Sequence, residues 1–239
     1  MIIYHQQPKR IQALTFDLDD TLYDNRPVIK KAEEKIVEFL HHHYPDLSAL
    51  TSHDFKLLRF ELKEQEPEIY HDVANWRHRS IIQAMVDNHY TVAQAREGAD
   101  RAMEYFTYWR NQIKVPSETF ETLAALRLRF PLAAITNGNA DPARIGLGDY
   151  FDFVLTAGLN GRAKPYSDMY LEAATRFAVP AQEVLHVGDQ FATDIMGALN
   201  AGMQACWINE YPESSAELGG QTLLPNIEIS QLASLKALL

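Results

Sequence analysis

The chain has 239 residues with 46% hydrophobic and 23% charged content, which fits one large globular domain or one domain carrying an insertion. Its formal net charge of -10 argues against nucleic-acid or anionic-membrane partners, which need a basic face, yet permits a small anionic substrate neutralised locally. The single cysteine, Cys206, excludes an intrachain disulfide; with a polar Met1–Arg10 start and no apolar run of membrane-spanning length, a cytoplasmic protein is expected.

In chain order, Ile11–Phe16 reads as a short buried strand that stops abruptly in the acids Asp17, Asp19 and Asp20. Pro27 sits where a helix starts, and the segment from Tyr23 to Val115 then reads as helical. Val28–Tyr44 carries Ile29, Ala32, Ile36, Phe39 and Leu40 at helical spacing and stops before Pro45. Ser52 is placed to cap a second helix, a third is expected over Ile69–Asn88, and Thr91 to cap a fourth. Such helices with short connections imply a small bundle.

Lys114-Val115-Pro116 breaks that rhythm, and Ser117 is placed to cap the next helix. Strands are then expected at Leu132–Thr136, Phe153–Thr156, Val184–Val187, Gln204–Ile208 and Asn226–Ile229. Helices at Tyr166–Phe177, Ala192–Ala201 and Ser230–Leu239 alternate with them, and Gly202 ends the second of these. The alternation predicts an α/β fold: a Rossmann-like parallel sheet with helices on both faces and an inserted all-helical cap domain. Residues 1–22 and 116–239 form the expected core, and residues 23–115 the expected cap, tethered where it can act as a lid.

In an open α/β sheet, ligands bind beyond the carboxyl ends of the strands. Here those ends carry Asp17 and Asp19, then Thr136 and Asn137, then Asp189 and Asp194, with Lys164 at a loop-to-helix boundary. Two acids as close as Asp17 and Asp19 are stabilised as anions only by a cation between or beside them. One can then attack an electrophile while the other carries a proton to a leaving group. Hard oxygen ligands of this kind fit Mg²⁺, whereas no His or Cys pattern supports zinc. His41-His42-His43 is read as a solvated helix end, since adjacent histidines on a helix point apart.

Asp17-x-Asp19-x-Thr21, Thr136-Asn137-Gly138, Lys164-Pro165 and Gly188-Asp189-x-x-x-x-Asp194 resemble the four ordered motifs of the haloacid dehalogenase superfamily. The resemblance covers nearly the whole chain. It implies that Asp17 is the nucleophile that becomes an aspartyl-phosphate, and that Asp19 is the general acid and then base. It implies that Thr136 and Asn137 bind the phosphoryl group and that Lys164 balances charge there. Asp17, the Asp19 carbonyl and Asp189 would hold Mg²⁺, and Asp194 would hold a metal water or orient Lys164. Halide leaves without a proton, so an acid at Asp19 favours phosphate-ester hydrolysis over dehalogenation; a phosphomutase also fits the acid pair.

Overall the chain resembles bacterial riboflavin-pathway phosphatases of that superfamily, which implies 5-amino-6-(5-phospho-D-ribitylamino)uracil or FMN as substrate. The residues are equally compatible with broad action on sugar phosphates and nucleotides, and they encode no oligomeric state. A phospho-accepting receiver-like domain is the rival from another class, but it has neither the helical insertion nor a proton donor two residues on. A catalytically silent scaffold is the second rival, against which the complete motifs argue. Trp76, Trp109, Tyr105 and Tyr108 read as bundle core, Arg77 and Arg79 as solvated, and Gly146-Leu147-Gly148 lacks the context of a dinucleotide loop.

Overall fold

A computed structural model describes residues 2–209 and 224–239. It divides into two compact units. The first comprises Met1–Asp24, Lys114–Gly138 and Pro142–Leu239; the second comprises Asn25–Ile113 and Asn139–Asp141.

The strands are β1 (Ile2–Tyr4), β2 (Ala13–Phe16), β3 (Leu132–Thr136), β4 (Phe153–Thr156), β5 (Val184–Gly188), β6 (Gln204–Ile208) and β7 (Ile227–Ile229). They form one sheet in the order β1-β7-β6-β5-β2-β3-β4. Every pairing is parallel except the outermost, where β1 runs antiparallel to β7 with Ile3 opposite Glu228. Strands β2, β3, β5 and β6 are buried along their whole length, as parallel strands covered on both faces must be. β1 leaves no mark in the sequence: three residues in a polar terminus carry too little pattern to show a strand, and only the edge of β7 makes one of them.

Central β2 has β3, the next core strand in sequence, on one side and β5 on the other. The chain order therefore reverses at β2, and a crevice opens at such a switch point beyond the strand's carboxyl end.

The helical unit contains α1 (Arg26–His43), α2 (Ser52–Gln65), α3 (Val73–Asp87) and α4 (Val92–Arg110). Thr51, not Ser52, caps α2 in a reciprocal box with Asp54; Thr91 and Gln94 do the same for α4. The third helix starts later than expected, because Asp72 accepts from the amides of Ala74 and Asn75 and Pro67–His71 forms a separate 3-10 turn. Ala32, Ile36, Leu40, Leu47, Phe55, Ile81, Met85, Ala99 and Phe106 pack into one apolar cluster. Gly98 lets the helices pack closely there: a Cβ would lie 2.6 Å from the Met85 methyl and 2.9 Å from the Tyr44 ring, so both side chains would have to shift.

Arg77 is not a solvated residue. It is mostly buried, donates to Glu33 at 2.7 Å and lies 4.1 Å from the centre of the Phe106 ring. His42 and His43 are exposed, as a solvated helix end should be, while His41 is half-buried and bonds the Leu50 carbonyl at 2.7 Å.

In the first unit α5 (Ser117–Arg127) begins at Ser117 itself, so Ser117 is not its cap. α6 (Asp168–Phe177) starts after Tyr166; α7 (Met196–Asn200) is short because Phe191–Ile195 winds as a π-helical turn. The expected terminal helix is a 3-10 segment, Leu232–Leu238. No helix among the described residues is long and apolar enough to cross a membrane.

Candidate active site

Parallel pairing places the carboxyl ends of β2, β3 and β5 along one rim, and Asp17, Asn137 and Asp189 each follow the last residue of a strand. Asp17 stays in the ladder through its amide, which donates to the Val187 carbonyl at 2.9 Å. Lys164 enters from the loop between β4 and α6. Its ammonium lies 2.6 Å from Asp17 Oδ1 and 2.6 Å from Asp194 Oδ1. A cleft lined by Asp17, Asp19, Thr136, Asn137, Gly138, Lys164, Gln190, Thr193 and Asp194 opens beside this pair of ion bonds.

Each charged group is held by further bonds. Asn137 Oδ1 accepts from the Lys164 amide at 2.7 Å, and Asn137 Nδ2 donates to the Lys164 carbonyl at 3.0 Å, so one carboxamide clamps the lysine's own peptide groups. Thr136 Oγ1 accepts from the Gly138 amide at 2.9 Å. Thr21 Oγ1 lies 3.1 Å from Asp189 Oδ1 and 3.5 Å from Asp17 Oδ2; its one proton serves the nearer acid. Tyr23 donates to Asp19 Oδ1 at 2.9 Å. Gln190 N–H donates to Asp194 Oδ2 at 2.9 Å. Gly188 leaves the room that the Asp194 carboxyl occupies, since a side chain at 188 would run into it.

Burial and charge set the protonation of this cluster. Burial pushes the Asp17 carboxyl up to about 8, with the Asp194 carboxylate adding to the rise and the Lys164 ammonium opposing it. Burial also works against the Lys164 ammonium, but the carboxylates of Asp17 and Asp194 outweigh it and hold lysine above its ordinary value. Asp194 is driven well below the usual carboxylate range: burial opposes its charge, and Lys164 and His186 overcome that. Asp189 is raised to about 6, chiefly by burial and then by the Asp194 carboxylate. Two raised carboxyls at one rim mark a place where added positive charge is stabilising.

Carboxylate oxygens of Asp17, Asp189 and Asp194 lie within 4.8 Å of one another. Asp194 spends its oxygens on Lys164 and Gln190, which leaves Asp17 and Asp189 as the donors nearest a cation. An all-carboxylate donor set without thiolate or imidazole fits Mg²⁺.

Several contributors carry no signal in the sequence. His186 is fully buried, its Nδ1 2.9 Å from Thr15 Oγ1 and its Nε2 3.5 Å from Asp194 Oδ1. Tyr170 donates to the Thr193 carbonyl at 2.8 Å. Trp207 Nε1 donates to the Asp189 carbonyl at 2.8 Å. His186 is the exception, marked in the sequence as a polar residue inside the apolar strand Val184–Val187.

Residues 11–202 match the family described as a hydrolase, haloacid dehalogenase-like hydrolase. The chain belongs to this family. Among haloacid dehalogenase-like hydrolases, it is 52% identical over 230 residues to 5-amino-6-(5-phospho-D-ribitylamino)uracil phosphatase YigB of Escherichia coli (strain K12), covering 96% of this chain and 97% of that one. It is 29% identical over 203 residues to the glyceraldehyde 3-phosphate phosphatase of Pyrococcus abyssi, covering 82% and 81%. The crystal structure of a 2-haloacid dehalogenase from Pseudomonas syringae pv. Tomato DC3000 superposes with a TM-score of 0.89 at 37% identity, covering 95% of this chain and 97% of that one.

Proposed function

We propose that this hydrolase is a Mg²⁺-dependent phosphatase that removes phosphate from 5-amino-6-(5-phospho-D-ribitylamino)uracil in the cytoplasm, through a phosphorylated Asp17. The observation that carries the chemistry is the placing of Asp17 against the buried Lys164 ammonium, with a second acid, Asp19, at the same cleft. The substrate rests on the similarity to the Escherichia coli phosphatase. Residues 1–22 and 116–239 are assigned as the hydrolase core, and residues 23–115 as the insertion.

In the first step Asp17 attacks phosphorus, the ester P–O bond breaks, and Asp19 gives its proton to the departing alkoxide. In the second, Asp19 takes a proton from water as that water attacks phosphorus, inorganic phosphate leaves and the Asp17 carboxylate is restored. Lys164, anchored by Asp194, offsets the negative charge gathered between Asp17 and the phosphoryl oxygens. Thr136 offers its hydroxyl to those oxygens. Asn137 spends one amide hydrogen on the Lys164 carbonyl and keeps the second for phosphate. Asp17, Asp189 and the Asp19 main-chain carbonyl would hold Mg²⁺, whose bound charge would act as a Lewis acid on the phosphoryl group.

The structural similarity to a 2-haloacid dehalogenase supports a second reading. Carbon–halogen cleavage needs a carboxylate nucleophile but no proton for the leaving group, so it makes no use of Asp19. A kcat/KM panel of the ribitylamino-pyrimidine phosphate, FMN, sugar phosphates, nucleotides and 2-chloropropionate, each with and without Mg²⁺, decides between them. The expected result is Mg²⁺-dependent phosphate release with the ribitylamino-pyrimidine phosphate ranked first. Halide release with no phosphate release overturns the phosphatase reading; a flat ranking among phosphates overturns the substrate.

A further inference from the structure

The peptide between Asp189 and Gln190 is pinned at both ends. Its carbonyl accepts from Trp207 Nε1 at 2.8 Å, and its N–H donates to Asp194 Oδ2 at 2.9 Å. Asp194 is the carboxylate that anchors Lys164, and Asp189 is the acid offered to the cation. One peptide plane thus ties the cation's ligand to the lysine's anchor. Trp207 belongs to β6, directly opposite Gly188 in the parallel register, and its ring meets Phe191 edge-on at 5.3 Å. It is buried, so its indole N–H has the strongest reason to keep its partner.

We propose that Trp207 is a positioning residue for Mg²⁺. Its N–H fixes the orientation of the 189–190 peptide, and hence the direction in which the Asp189 carboxylate leaves the strand end. Thr21 steadies the same carboxylate from its other end, 3.1 Å from Oδ1. The role rests on the assignment of Asp189 to the cation under Proposed function. Losing one neutral hydrogen bond of this kind weakens cation affinity by about threefold to tenfold.

The test is Trp207→Phe, which keeps an aromatic ring against Phe191 and removes the donor. Replacement of Trp207 by 3-benzothienylalanine, a bicycle of the same shape without N–H, covers the case in which the smaller ring does not fold. Mg²⁺ alone is titrated into substrate-free protein, and its Kd is obtained from the rise of Tm with ln(1 + c/Kd), c being the free Mg²⁺ concentration; the activation constant for Mg²⁺ is measured separately. Both constants are expected to rise about threefold to tenfold, by more than kcat at saturating Mg²⁺ falls. Unchanged constants in a folded variant, with only a lower Tm, overturn the Trp207 assignment while leaving the parent reading intact. A wild-type protein without any Mg²⁺ response, or an Asp189→Asn variant that keeps the full response, overturns the parent reading and this role with it.

Discussion

At and beside the strand ends of the α/β unit the buried side chains include Asp17, Lys164, Asp194 and His186, whereas the apolar cluster of the helical unit holds Ala32, Ile36, Leu40, Met85, Ala99 and Phe106. Removing charges from water is costly unless each is paired and hydrogen-bonded, and here Lys164, Asp17 and Asp194 are joined at 2.6 Å with Asn137 and Gln190 filling further bonds. The helical unit gains its stability from apolar contact. Its mostly buried Arg77 is tolerated because Glu33 and the face of Phe106 receive it. The lesson is that side chains at the parallel strand ends answer to chemistry, while those within the bundle answer to packing.

The sharpest way to break this division is Asp17→Asn. Activity should fall by at least about 10³-fold. The cation-free protein should keep its fold, because the amide oxygen at 17 can still accept from Lys164 and burial favours a neutral group there. Steady-state kinetics and thermal melts check both halves; a collapsed fold would make Asp17 a structural residue.

Asp19→Asn should slow alkyl phosphates by roughly 10²- to 10⁴-fold, yet slow an aryl phosphate with a good leaving group far less. Equal losses on the two substrates would remove the proton-donor role. In the other region, Phe106→Ala should cost about 3–5 kcal/mol, read from denaturant midpoints. A cost near zero would show that the bundle interior is not held by packing.

Solution pH sharpens the comparison from the charged side. The folded pKa values of Asp17 and Asp189, about 8 and about 6, lie above the ordinary 3.8. The cation-free fold therefore binds more protons than the unfolded chain, and the stability these acids contribute is lost as pH rises from about 4 through 8. Tm measured in EDTA should fall from about pH 7 to 8, above the range in which buried His186, its pKa lowered by burial, contributes the opposite slope, while the rise in Tm on adding Mg²⁺ should grow from about pH 5 to 8. A flat Mg²⁺ increment would contradict competition between protons and cation. The smallest effect is Thr91→Ala, which deletes the capping box of α4 and should cost about 1 kcal/mol in an equilibrium melt.

Strands β3, β4 and β6 have the ends read from the sequence, because apolar runs bounded by Gly or polar turns are local signals. The starts of α2 and α3 were misplaced because Ser, Thr and Asp compete as caps, and the winner depends on which side chain reaches an amide. Asp17, Asp189 and the Thr-Asn pair could be singled out because each stands where an apolar run stops; Lys164 and Asp194 stand out only through the ordered motifs they complete. Their neighbours could not: His186 faces Thr15 only through β2–β5 pairing, and Trp207 reaches the Asp189 carbonyl only through β5–β6 pairing.

The chain's own pattern thus determined the alternation of elements, the class of fold and the chemical types gathered at the strand ends. Tertiary structure alone decided that β2 lies between β3 and β5, that Lys164 is shared by Asp17 and Asp194, and that Asn137 clamps the lysine's peptide groups. Periodicity is written in neighbouring residues, whereas a hydrogen bond across 147 or 27 positions of chain exists only once the sheet has set its register.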